Sequence, residues 1–148
     1  MSSENQIQLK GDYRYDEKTA GGAISPGHLI EIDSAGDVVV HSTEGGRAAR
    51  LFAVEDALQG NTLDDDYADD DLVPCHHEYP GSEIQAFLKS GENVSIGDEL
   101  ISAGDGTLIA DGSESSGVTV ADRIAIALEA KNLSGSGAVD TLIQVLIK

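Results

Sequence analysis

Glycine punctuation constrains this chain most. Its 17 glycines fall mainly between apolar segments only a few residues long, so each segment is bounded by turn signals before a long helix can form. The pattern predicts an all-β fold: a compact β-barrel or β-sandwich of short hairpins, with at most one short helix. Expected strands are Gln6–Lys10, His28–Asp33, Asp37–His41, Leu51–Glu55, Leu72–His76, Glu83–Leu88, Glu99–Ala103, Thr107–Ala110, Arg123–Leu128 and Val139–Ile147. The last, VDTLIQVLI, is filled by β-branched and Leu residues and has no breaker. TVADRIAIALEAKNL (119–133) reads two ways. It opens with a T-x-x-D capping pattern and sets Val120, Ile124, Ala127 and Leu128 at helical spacing, while comparison within the chain favours a strand.

That comparison is an internal echo. AISPGHLIEIDSAGDVVVH (23–41) and NVSIGDELISAGDGTLIA (93–110) each run from an apolar-Ser-x-Gly turn through a strand and an Ala-Gly-Asp turn into another strand. The shared turn is Ala35, Gly36, Asp37 in one copy and Ala103, Gly104, Asp105 in the other. Downstream, RLFAVEDAL begins at Arg50 and RIAIALEAKNL at Arg123. Two copies are too few for a solenoid, which needs about three. They predict an internal duplication, with halves about 23–60 and 93–135, inside a single β-rich domain spanning 23–148. Residues 1–22 read as a flexible, polar, Gly-ended N-terminal arm. LDDDYADDDL (63–72) reads as a solvated acidic loop.

Charge narrows the partners. The chain carries 27 Asp plus Glu against 9 Lys plus Arg, a net charge of -18 at pH 7. A polyanion gains nothing from counterion release on nucleic acid, so DNA and RNA are excluded as direct partners. The chain is nevertheless 40% hydrophobic with clustered apolar residues, the composition of a folded domain under an acidic skin. Self-repulsion of that skin is relieved by molar salt. A halophilic source is therefore an expectation, and a melting midpoint that does not rise with NaCl would contradict it. No apolar run approaches the roughly 20 residues of a bilayer span, and MSSENQIQLK lacks the order of a signal peptide. Both predict a soluble chain with no membrane partner. The single Cys75 excludes an internal disulfide.

The residue constellations yield little chemistry. Asp64, Asp65, Asp66, Asp69, Asp70 and Asp71 supply oxygens of the kind Ca²⁺ prefers, without EF-hand spacing. Cys75, His76, His77 and Glu78 are adjacent on an expected strand and point to alternate faces, so they do not converge on one ion. No metal site is assigned. Nucleophile-elbow, P-loop and dinucleotide patterns are absent. Glu31 and Asp33 share a strand face but have no evident pocket. An enzyme is not expected, and neither is a cofactor. IGDELISAGDG looks like the V-x-x-G-D-x-L segment of biotinyl and lipoyl domains, but no Lys lies between Glu92 and Ala130 to carry the prosthetic group.

The order of KTAGGAISPGHLIEI, RLFAVEDALQGNTLDD, SEIQAFLKSGENVSIGDELISAGDGTLI, ADRIAIALEA and VDTLIQVLIK resembles the head decoration (cement) proteins of tailed bacteriophages and related tailed archaeal viruses. The DDDYADDD insert departs from that pattern. The resemblance implies a β-rich homotrimer on the outer surface of the capsid head, with the major capsid protein as partner and no catalytic residues. Gln6, Ile7, Gln8 and Leu9 are the expected capsid contacts, as a strand added to the shell. An acidic extracellular Ca²⁺-binding β-domain is the alternative.

Overall fold

A computed structural model describes residues 5–118 and 122–148. Among the described residues thirteen strands run in chain order: β1 (Gln8–Lys10), β2 (Tyr13–Thr19), β3 (Ile30–Ile32), β4 (Val38–Val40), β5 (Leu51–Ala53), β6 (Leu72–Glu78), β7 (Glu83–Leu88), β8 (Asn93–Val94), β9 (Glu99–Ser102), β10 (Leu108–Ala110), β11 (Ala125–Ala127), β12 (Lys131–Asn132) and β13 (Thr141–Ile147). The only helical turn among the described residues is a 3-10 turn, Ala57–Gln59. Within the ambiguous 119–133 segment, Ala125–Ala127 is strand, with both alanines inward and Ile126 outward. Residues 119–121 lie outside the described residues.

The fold is all-β, and its centre is a barrel. β7, β10, β9, β11 and β13 pair in that order and β13 returns to pair with β7, closing the ring. Closure leaves these strands few unpaired backbone groups. Leu88, Leu100, Leu108, Ala125, Ala127, Ile143 and Val145 fill the interior, each large aliphatic side chain contributing about 2 kcal/mol of burial.

The first half traces the same circuit. β2, β6 and β5 form a sheet and β3 pairs with β4. Isolated bridges Leu29↔Phe52 and Ala20↔Val38 complete the ring. The second bridge is parallel, as is its counterpart Leu88↔Leu108 between β7 and β10. Several backbone hydrogen bonds match. The Gly27 N–H reaches the Ala53 carbonyl at 2.8 Å, and the Gly97 N–H reaches Ala127 at 2.8 Å. Glu78 donates to Arg50 at 2.7 Å, and Lys148 to Ile124 at 3.0 Å. The core matches as well: Ala20, Ile24, Ile30, Val38, Leu51, Ala53, Val73 and Cys75 form one buried cluster. Their counterparts Leu88, Val94, Leu100, Leu108, Ala125, Ala127, Ile143 and Val145 belong to the other.

The duplication is thus structural, and it is wider than the sequence echo. It takes in β2 and β6 on one side and β7 and β13 on the other. One detail of the echo slips: the ladders align Leu51 with Ala125, so Arg50 matches Ile124 rather than Arg123. The described part of the segment read as a flexible arm, residues 5–22, is also built in. Ile7 is fully buried, β1 pairs with β7, and β2 is a member of the first ring. Backbone pairing outweighs the polar side chains that make this segment look like a tether.

The two rings are joined by specific ties. Gly27 lies against Leu142, Ile7 and Phe87, and its carbonyl accepts from the Phe87 N–H at 3.2 Å. Leu29 and Phe52 are fully buried in the second ring's cluster. His41 Nε2 donates to the Arg47 carbonyl at 3.0 Å, and its Nδ1 lies 2.6 Å from the Ser102 hydroxyl. Arg50 grips Asp122 with both guanidinium nitrogens, at 2.6 and 3.2 Å.

Arg50 beside Asp122 holds that carboxyl below its usual range, chiefly by hydrogen bonding. Because its folded pKa lies below the unfolded value, the tie stabilises above about pH 4 and is lost as pH falls through the folded value. Arg50→Leu is expected to cost about 2 kcal/mol at neutral pH and to flatten the acid limb of stability below about pH 4. Melting curves across pH check this, and an acid limb as steep as that of the unsubstituted protein would contradict it.

Candidate functional site

β2 alternates Tyr13, Tyr15 and Glu17 with Arg14, Asp16 and Lys18. In a strand these two sets face opposite ways. Asp16 lies beside His77, Lys18 and Arg14 at 3.6–3.9 Å. Tyr13 and Tyr15 stand on the outer face of the first ring, 41% and 47% exposed in a chain with only four tyrosines and two phenylalanines. Tyr13 stacks on His76 with ring centres 3.6 Å apart, and Tyr15 meets the same ring edge-on at 5.9 Å.

Together with Gln6, Gln8, Glu55, Asp56 and Leu58, these rings line a groove of about 220 Å³. That volume suits one or two side chains of a partner rather than a substrate enclosed on all sides. Partial burial, and then the Glu17 carboxylate, push the Tyr15 hydroxyl above its usual pKa, so it stays a donor at neutral pH. Leu58 projects almost wholly into solvent from the 3-10 turn. Aromatic side chains in a polar rim are the usual anchors of protein interfaces.

The four residues expected to contact a capsid divide. Gln6 and Gln8 line the groove, and Gln8 Oε1 accepts from His76 Nδ1 at 2.9 Å. Ile7 is fully buried, with its N–H bonded to Glu55 at 2.9 Å. Leu9 sits within β1, which pairs with the chain's own β7. The added strand is therefore already seated on its own barrel.

The candidate metal-ligand residues do not gather. Cys75 lies in the first core, its thiol pushed up to about 11 by burial, which leaves it unreactive near neutrality. His76 and Glu78 face the other way, 3.4 Å apart at Nδ1 and Oε2, with Glu78 fully buried. His28 and His41 serve the junction between the rings. Burial lowers the His28 pKa, and its Nδ1 accepts from the Ser25 N–H at 3.0 Å.

The acidic loop is pinned rather than free. Tyr67 is buried in its middle, donates to the Val54 carbonyl at 2.6 Å, and exchanges backbone bonds with Ile24. Asp65 and Asp71 accept from the Thr62 and Ala68 N–H groups at 2.6 and 2.8 Å, capping their own turns. Among the described residues, no three His, Cys, Asp or Glu side chains converge on a cation position. The hollow of about 490 Å³ beside the loop is lined by Asn5, Thr62, Leu63, Asp64 and Leu142. It holds one carboxylate and no second group placed for proton transfer.

No protein-family model and no curated protein matches this sequence. Among solved structures, the chain is similar to the head fiber gp8.5 N base of bacteriophage phi29, with a TM-score of 0.54 at 16% identity, over 93% of this chain and 95% of that one. At that identity the likeness is one of fold, and it spans both rings.

Proposed function

We propose that this chain is a non-enzymatic head protein of a tailed virus: a decoration (cement) protein that binds the major capsid protein on the outer surface of the shell and stabilises it. The observation that carries the proposal is the fold shared end to end with a phage head fiber base. A shared fold alone does not assign function, so the surface has to agree with it. A net charge of -18 favours the exterior of a shell whose interior faces packaged DNA. The tyrosine groove supplies anchors, with Gln6 and Gln8 on its wall. The mechanism is repeated burial of modest contacts over many copies rather than chemistry, and it needs no cofactor.

Purified protein is expected to sediment with undecorated heads of its virus and to raise their resistance to heat, in salt matched to the source. Heads that pellet without the protein at saturating concentration would overturn the proposal. In the Ca²⁺-binding alternative the acidic loop would be the site. Carboxylates occupied in capping their own turns speak against it.

A further inference from the structure

The tyrosine groove carries a negative charge that its own walls do not answer. Two carboxylates, Glu55 and Asp56, line it, and no Lys or Arg does. The cations of the same strand, Arg14 and Lys18, lie on the opposite face of β2 beside Asp16. Asp56 stands at the N-cap of the Ala57–Gln59 turn, where an Asp side chain ordinarily accepts a backbone N–H, yet it makes no capping bond. Among the described residues its carboxylate has neither a hydrogen bond nor an ion pair. Other turn aspartates are occupied: Asp33, Asp65, Asp71 and Asp98 each accept from an N–H of their own turn.

A second carboxylate points the same way from below. Glu78 pairs with Tyr13 across the β2–β6 ladder, so its side chain shares the face on which the groove lies. That side chain is fully buried, and neither of its oxygens has a hydrogen bond. His76 Nδ1 stands 3.4 Å from one of them, but the same nitrogen is committed to Gln8 Oε1 at 2.9 Å. A buried carboxylate without donors is costly, and an opposite charge brought close offsets part of that cost.

The walls select the kind of cation. A bare metal ion needs several oxygens within roughly 2.6 Å of one point, and the described residues hold no such cluster. An organic cation needs an aromatic face beside a carboxylate, and the half-exposed rings of Tyr13 and Tyr15 supply the faces. A guanidinium is flat and weakly hydrated, so it can lie on a ring while donating to a carboxylate; an ammonium gives up more hydration to do so. We infer that the groove receives an arginine side chain of a partner protein, its guanidinium on the tyrosine rings and donating to Asp56, in the negative field of Glu55 and Glu78. The net charge of -18 draws basic segments toward the whole surface. The inference rests on the groove being a contact surface, as proposed above, and names the chemistry that enters it.

Titration of the full-length protein with the end-blocked tripeptide Gly-Arg-Gly, followed by NMR, tests it without heads. The Tyr13, Tyr15 and His76 signals are expected to shift and to saturate, with a Kd on the order of 1 mM. The matching lysine peptide is expected to bind several-fold more weakly, and the uncharged citrulline peptide to leave the signals in place. Asp56→Asn removes the charge without removing a bond within the chain, so it is expected to weaken the arginine peptide at least about fivefold at an unchanged melting temperature. Shifts that grow without saturating, a lysine or citrulline peptide that binds as tightly, or an Asp56→Asn protein that binds as well would each overturn the inference. So would Ca²⁺ moving the same signals while the arginine peptide does not. Heads that bind a protein blind to the peptide would sink this inference and leave the capsid reading standing; peptide binding without head binding would do the reverse.

Discussion

Gly27→Ala is expected to destabilise the protein by about 3 kcal/mol, whereas Gly97→Ala, at the matching turn, costs about 1 kcal/mol. The two glycines have nearly the same backbone, with φ of 100° and 95°, and the same hydrogen bond to an alanine carbonyl. Both variants therefore carry the strain of a side chain in the left-handed region. Only at Gly27 does the new methyl meet neighbours, with Leu142 Cδ2 at 2.4 Å and Ile7 and Phe87 close behind. The difference between the two isolates the packing of one ring on the other. Denaturant melts of the two variants measure it, and equal losses would mean that the Gly27 contact does not hold the halves together.

The second large effect falls on the outer face. Tyr13→Ser with Tyr15→Ser is expected to weaken attachment to heads by at least about tenfold per copy, since an interface anchor is typically worth about 2 kcal/mol. Multivalent attachment would amplify that loss across a shell. Both rings are already half in solvent, so the melting temperature should move little. Val139→Ser, at another exposed apolar position, serves as the control and should bind normally. Heads that retain the double variant as well as the control would remove the groove from the contact and leave attachment to another surface.

Much of the fold was legible in the sequence because glycine and apolar residues report directly on turns and cores. Glu83–Leu88 is a strand over the whole of its expected span, and the AGD echo marks hairpins that the ladders confirm as twins. YRYDEKT was not legible as a strand. Its inward positions are Asp16 and Lys18, which form ion pairs where the second ring has apolar side chains, so the apolar alternation that marks a strand is missing. Tyr13 and Tyr15 were passed over for the same reason, although tyrosines two apart are the signal that could have found them. Ile7 and Leu9 in a polar tail look like one face of a strand offered to a partner, whereas Ile7 is buried in the chain's own core, a socket that only the tertiary fold supplies. DDDYADDD concealed Tyr67 in a similar way. The charges describe the skin of that loop, and the one aromatic is its anchor.

The central claim concerns where this protein sits, and a cryo-electron microscopy reconstruction of the virion tests it most directly. The account predicts density for paired five-stranded rings on the outer face of the head, with the Tyr13 and Tyr15 surface toward the shell. A reconstruction whose outer surface is fully explained by other chains, with this protein absent from purified virions, would contradict it.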